Sequence, residues 1–274
     1  MNLKDRIGID IGVKKPVEDG LAWASENGLH YVDFRLDTGP DSFAAFTPDR
    51  CAAIRARAEE SGITIGLHTL SAVNIAEFSP HLAEAADHYL RAYIDIAKAL
   101  NAGWVEVHAG YHFSSDVEPR KAASRERLKR AVGYAEAQGV TLLLENMNWE
   151  PDHAEVHYLG HNLAECHYYF DAIDSSHLRW AFTVNHAALV PEGIDGFIDA
   201  MGLARCEEVR LADSHGQYEE HLQPGEGQID FRKMFRRIEL DPQFNGHYMC
   251  AFGPLEAMLE GRHYLAEEAS AALG

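Results

Sequence analysis

No uncharged apolar run in this 274-residue chain is long enough to span a bilayer, so a membrane partner is not expected. The start, MNLKDRIGIDIG, has too short an apolar stretch for a secretory signal. Cysteine is scarce. Cys51, Cys166, Cys206 and Cys250 are scattered without CxxC spacing, which argues against a disulfide framework and for reduced core thiols in a cytoplasmic protein. Basic residues are outnumbered: 24 Lys and Arg against 43 Asp and Glu give a net charge of −19. That field disfavours nucleic acid as a partner, although it leaves room for a local basic groove. No linker, low-complexity tract or short repeat divides the sequence. No GxGxxG follows the first strand, which weighs against an open doubly wound sheet, the second choice of architecture.

What the chain has in quantity is apolar segments in regular alternation with amphipathic ones; hydrophobic residues make up 46%. Eight strand–helix units follow one another. Strands are expected at 6–11, 30–36, 63–70, 104–108, 140–145, 178–183, 208–212 and 246–252. Helices are expected at 16–27, 47–61, 80–100, 119–138, 163–173, 193–201, 230–238 and 254–272. Thr47 suits an N-cap before Pro48, and Gly28, Gly62 and Gly139 suit helix ends. Ala86, Tyr89, Tyr93, Ile96 and Leu100 step by three and four along one helix face. Unbroken alternation predicts an α/β fold, a single (β/α)8 TIM barrel domain over residues 1–274.

Reactive residues stand where those strands end. His68 closes ITIGLH, His108 closes WVEVH and Glu145 closes TLLLE. In a parallel barrel the loops at strand carboxyl ends share one open face, so the three head groups can converge. Imidazoles with a carboxylate suit a divalent metal such as zinc, manganese or iron. Glu145 follows four buried-type residues, and an unpaired carboxylate there is costly unless a cation or a proton meets it. His186 lies just beyond RWAFTV, as a metal ligand or a donor to a substrate hydroxyl. Glu219 and His221, two apart in an extended loop, point the same way and form with His186 a second set. The glycine-rich PGEG segment is suited to wrapping closely against a ligand or a loop. Arg210, inside an apolar strand, needs a partner: either an anionic substrate group or a neighbouring Asp or Glu. Aromatic loop residues at the open face, Trp149 among them, either stack on a sugar or pack a lid.

The segments GLHTL, VEVHAG, LLLEN, TVNHA and RLADSHG…EEHLQPGEGQIDF give the chain a resemblance to the xylose isomerase-like TIM barrels, the superfamily that includes the endonuclease IV group. The resemblance runs over nearly the whole chain. It implies a barrel acting on sugars, sugar phosphates, polyols or keto acids, usually with a divalent metal. In the sugar isomerases and epimerases it implies a Glu, an Asp, a His and a Glu as ligands from the fifth to the eighth strands. Glu145 matches the first, whereas Thr183, Arg210 and Phe252 stand where the others are expected, with Glu256 leaving the last alignment open. In the endonuclease branch, His68, His108 and Glu145 match one ligand set, and His186, Glu219 and His221 resemble another.

The expected function is therefore a sugar, sugar phosphate or keto acid isomerase or epimerase with an altered divalent-metal site. Glu145 is its general base or ligand. His186 contacts a substrate hydroxyl, and Arg210 neutralises enolate charge or a substrate anion. His68, His108, Trp149 and His215 contact the substrate. The rival readings are a metal-dependent phosphoester hydrolase and a sugar-binding barrel without turnover. The oligomeric state is left open, a homodimer included.

Overall fold

The structure is a computed structural model that describes residues 3–274; Met1 and Asn2, the first two residues of the expected domain, lie outside them. Eight parallel strands close into a barrel: β1 Ile7–Gly12, β2 Tyr31–Phe34, β3 Thr64–His68, β4 Trp104–Val107, β5 Leu142–Glu145, β6 Leu178–Thr183, β7 Cys206–Leu211 and β8 His247–Cys250. Each pairs with its neighbour in sequence, and β1 closes on β8 with Ile7 opposite Tyr248 and Ile9 opposite Cys250. The barrel helices are α1 Val17–Glu26, α2 Pro48–Ser61, α3 Pro80–Leu100, α4 Val117–Gln138, α5 Leu163–Phe170, α6 Gly193–Met201, α7 Phe231–Glu239 and α8 Leu255–Leu273. The expected fold is what forms. Among the described residues no helix is long and apolar enough to cross a membrane, and all four cysteines are unpaired and buried.

The predicted caps act as expected. Thr47 accepts a hydrogen bond from the Arg50 amide, and Gly62 and Gly139 end their helices in the left-handed region. Three small features escaped the sequence reading. Tyr111–His112 pairs antiparallel with His157–Tyr158 as a two-stranded ribbon over the open face, Val184–Ala187 forms a single helical turn, and short 3-10 turns punctuate the early loops. Two-residue strands and one-turn helices are too short to show a period.

Side-chain alternation along the strands divides the interior in two. Ile7, Ile9, Val32, Phe34, Ile65, Leu67, Val105 and Val107 point outward and form the main core with the helices. The inner face has a small apolar cluster of Trp104, Leu143, Ala181 and Met249 backed by Tyr31. Towards the strand carboxyl ends that inner face becomes polar. Asp10, Asp33, Glu106, Glu208 and Arg210 occupy inward positions, and His68, His108 and Glu145 follow at the rim. Gly66 makes room here, since a Cβ would collide with Asp33 and Trp104.

Candidate active site

The strand ends open into a cavity of about 440 Å³, large enough for a small metabolite. His68 and His108, from the ends of β3 and β4, approach with Nε2 atoms 3.1 Å apart. The Glu145 carboxylate at the end of β5 lies 3.1 Å from His108 Nε2. Thr183, at the end of β6, donates its hydroxyl to Glu145 Oε1 at 2.5 Å. Asn146 secures that corner: its side chain accepts from the Thr183 amide and from Trp180 Nε1 and donates to the Thr183 carbonyl. Burial pushes Glu145 upward in pKa. The bond to His108 and the charges of His186, His108 and Arg210 outweigh it and hold the carboxyl well below its usual range. Burial and the charge of Arg210 push His68 down to about 4, so it is a neutral imidazole.

The second set is built by a loop. Asp213, just after β7, accepts the backbone amides of Ser214, Gly225, Gly227 and Ile229 and pairs as a β-bridge with Leu222. The PGEG segment thus wraps around a carboxylate of its own loop. The fold-back turns Glu219 and His221 toward His186, with Glu219 Oε1 3.0 Å from His186 Nε2 and 2.6 Å from His221 Nε2. Burial lowers the His186 pKa, but the Glu219 charge and hydrogen bond more than reverse this, raising it to about 9. Burial raises Glu219, but the charge and hydrogen bond of His186, with His221, bring it down to about 2. Glu145 Oε1 lies 3.5 Å from His186 Nδ1, which puts the two sets side by side.

Both sets fit a divalent cation on their own chemistry. His186 Nδ1 faces the Asn146 carbonyl at 2.8 Å, and His221 Nδ1 faces the Ala251 carbonyl at 2.7 Å. A carbonyl only accepts, so each Nδ1 carries a hydrogen. Each Nε2 is then either a lone pair aimed at the Glu219 carboxylate or a site for one more proton. Protons fill that role here, as the raised His186 pKa shows, and a cation shared by the three atoms would replace them; carbonyl-anchored imidazoles are a usual outer arrangement in metal sites. His68, His108 and Glu145 also hold ligand atoms within 4.8 Å of one another.

Arg210 meets the alternative of neighbouring acids. Its Nη1 donates to Asp33 at 2.7 Å, Glu106 at 2.5 Å and Glu208 at 2.6 Å, and its Nη2 donates to Asp10 at 2.8 Å. Four carboxylates therefore claim the guanidinium expected to neutralise substrate charge. Burial and the Glu208 charge raise Asp33 well above the normal carboxylate range, against the opposing pull of Arg210. Burial likewise raises Glu106 against Arg210. Burial raises Glu208 too, but Arg210 and the His247 contact at 2.9 Å leave it lowered. Asp33, Glu106 and His68 also cluster closely enough for a cation, but Arg210 Nη1 already supplies one. These acids were missed, yet the sequence carried a signal: IGIDIG, YVDF, WVEV and CEEVRL each place an acid at the inward phase of an apolar strand.

Two expected substrate contacts lie elsewhere. His215 is half exposed and bound to Glu220 through its Nδ1 and backbone amide; it borders a separate surface pocket between α6 and α7. Trp149 packs against the core, while its neighbours Asn148 and Glu150 face the cavity. Phe252, in place of an expected ligand, is buried and lines the cavity, and Glu256 is exposed at the start of α8.

The profile of the Xylose isomerase-like TIM barrel family matches residues 21–268. A curated fructoselysine 3-epimerase from Shigella flexneri is 26% identical over 170 residues, covering 61% of this chain and 58% of that enzyme. The match thus spans somewhat over half the length of that curated relative. The crystal structure of a D-tagatose 3-epimerase-like protein superposes with a TM-score of 0.84 at 19% identity, covering 97% of this chain and 98% of the other. Endonuclease IV from Thermus thermophilus superposes with a TM-score of 0.74 at 22% identity, covering 98% of each chain. At these identities the two superpositions speak for the fold alone.

Proposed function

Because this chain belongs to the xylose isomerase-like TIM barrel family, we propose that it is an isomerase or epimerase acting on a small carbohydrate that carries a carbonyl group. The observation that carries this reading is the setting of Glu145, an ionised carboxylate at the cavity floor between two imidazole-rich sets. Shifting a proton beside a carbonyl requires a base at the carbon and positive charge at the oxygen.

His68, His108 and Glu145 would hold one divalent ion, and His186, Glu219 and His221 a second; such an ion, when bound, polarises a carbonyl or hydroxyl oxygen. The protein's own residues do the rest. Glu145 would divide its oxygens: Oε2, beside His108, holds the ion, and Oε1 accepts the proton from the carbon next to the carbonyl and returns it to the product. Thr183 Oγ1 fixes that carboxylate's rotation through Oε1. Asn148 and Glu150, joined at 2.6 Å, offer donors and acceptors to sugar hydroxyls. Tyr158, carried by the loop ribbon, lines the cavity and offers its ring and hydroxyl to the substrate.

The test is proton exchange in D2O. Metal-loaded protein is incubated with a panel of ketoses, aldoses and fructosyl-amines and followed by NMR. Deuterium should appear at the carbon beside the carbonyl of at least one sugar, and Glu145→Gln should stop it. An absence of exchange across the panel would reject the reading. Survival of both outer ligand sets favours one rival, phosphoester hydrolysis; cleavage of abasic DNA by the loaded protein would establish it. The net charge of −19 speaks against it.

A further inference from the structure

We propose that Arg35 and Lys14 form an anion subsite in this cavity, so that the substrate is an acidic carbohydrate bearing a carboxylate or a phosphate. The proposal rests on the carbohydrate reading above and narrows it. Both cations line the same cavity as His68, His108 and Glu145. They come from neighbouring strand ends: the Arg35 amide donates to the Gly12 carbonyl at 3.2 Å, which holds the β1 and β2 loops together.

Arg35 is the exceptional member of the pair. Its side chain is half-buried, its Nε is buried with no hydrogen-bond partner, and among the described residues no carboxylate lies within ion-pair distance of its guanidinium. Leaving a buried guanidinium N–H unmet is costly, and five donors in a planar fork suit an oxyanion. Acids outnumber bases 43 to 24 in this chain, so partners were plentiful. Several partly buried arginines took them: Arg6 has Glu239, Arg50 has Glu18 and Asp41, and Arg120 has Glu77, while Arg205 and Arg262 bond main-chain carbonyls.

The cavity acid Asp10 feels the charge of Lys14, but its ion-pair partner is elsewhere. Asp10 is held by Arg210 at 2.8 Å. Among the described residues the Lys14 ammonium hydrogen-bonds the main-chain carbonyl of Asp10, at 3.4 Å, and no carboxylate. Arg35 and Lys14 thus stand in the β1–β2 sector, while the two imidazole sets come from β3–β5 and from the loops after β6 and β7. A substrate anchored by its anion at Arg35 would extend its carbonyl and hydroxyls across the barrel mouth toward Glu145. Arg210 would keep no part in anion binding.

Binding of three matched sugars to metal-loaded protein, measured by calorimetry, tests this without requiring turnover. The sugars are D-glucose, D-glucuronate and D-glucose 6-phosphate. At least one acidic sugar should bind tenfold or more tightly than glucose, and which one does so identifies the anion as carboxylate or phosphate. Arg35→Gln should weaken that sugar about 10- to 100-fold with a much smaller effect on glucose, and Arg35→Lys should recover part of the loss. Equal or undetectable binding across the three sugars, or an equal loss for glucose in the variant, would overturn the subsite. Charge discrimination lost in Arg35→Gln, with no deuterium exchange in any sugar, would uphold the subsite while rejecting the isomerase reading.

Discussion

Replacing Arg210 with Met should destabilise the protein by about 4 kcal/mol at neutral pH, and the loss should shrink as the solution is acidified. Of the four carboxylates on the guanidinium, Asp33 and Glu106 are pushed toward their protonated forms, so they add little to the difference. Glu208 keeps His247 at 2.9 Å. Asp10 is the acid left exposed to the loss: its remaining contact of this kind is His68 Nδ1 at 3.7 Å. Burial raises Asp10, but His68 and Arg210 together hold it far below its ordinary value. Without Arg210 it must be buried as an anion or take a proton. Protonating a carboxylate at pH 7 against an ordinary pKa near 4 costs about 4 kcal/mol, within the roughly 3–5 kcal/mol seen when one partner of a buried pair is removed. The sign follows from linkage. In the variant the folded protein carries a proton on Asp10 that the wild type does not, so the loss falls by about 1.4 kcal/mol for each pH unit between pH 7 and the ordinary carboxylate pKa near 4. Urea unfolding of both proteins at pH 7 and pH 4 measures the difference. A loss below about 1 kcal/mol at pH 7, or one unchanged at pH 4, would refute the assignment of Arg210 as a buried charge hub.

Other expectations follow from the same geometry. Gly66→Ala should cost about 1–3 kcal/mol by driving a methyl into Asp33 and Trp104; thermal unfolding would show a lowered midpoint. In the metal-free protein, His186 has a raised folded pKa of about 9. Its stabilising contribution should be full below about pH 6.5 and vanish as pH climbs through 9, visible as a falling unfolding free energy that Glu219→Gln abolishes. Asp213→Ala strands four backbone amides at roughly 1–3 kcal/mol each where they stay buried. Hydrogen exchange should report local opening of residues 213–229, with the β-barrel strands still protected.

The barrel was legible because a repeated period survives errors of a residue or two at each boundary. The 80–100, 178–183 and 193–201 segments coincide with α3, β6 and α6. His68, His108 and Glu145 were legible for a related reason: a polar residue closing an apolar strand has to emerge at the barrel mouth. Glu219 and His221 needed only their spacing of two and a loop that folds back. Arg210 announced a need without naming what met it. Its partners come from β1, β2, β4 and β7, and only barrel closure brings those strands to one axis. His215 was misplaced because a loop position does not say which way a side chain leaves the backbone; the Glu220 carboxylate decided that. Arg35 escaped notice because what marks it is the lack of a partner, which only three-dimensional packing reveals.

The most direct test of the two-set cavity is the metal content of the protein after loading with zinc or manganese and dialysis, read beside single-set variants. Up to two tightly held equivalents are expected, with one lost in His68→Gln and the other in His221→Gln. A loaded wild type that retains no metal, or variants that retain as much as it does, would contradict it.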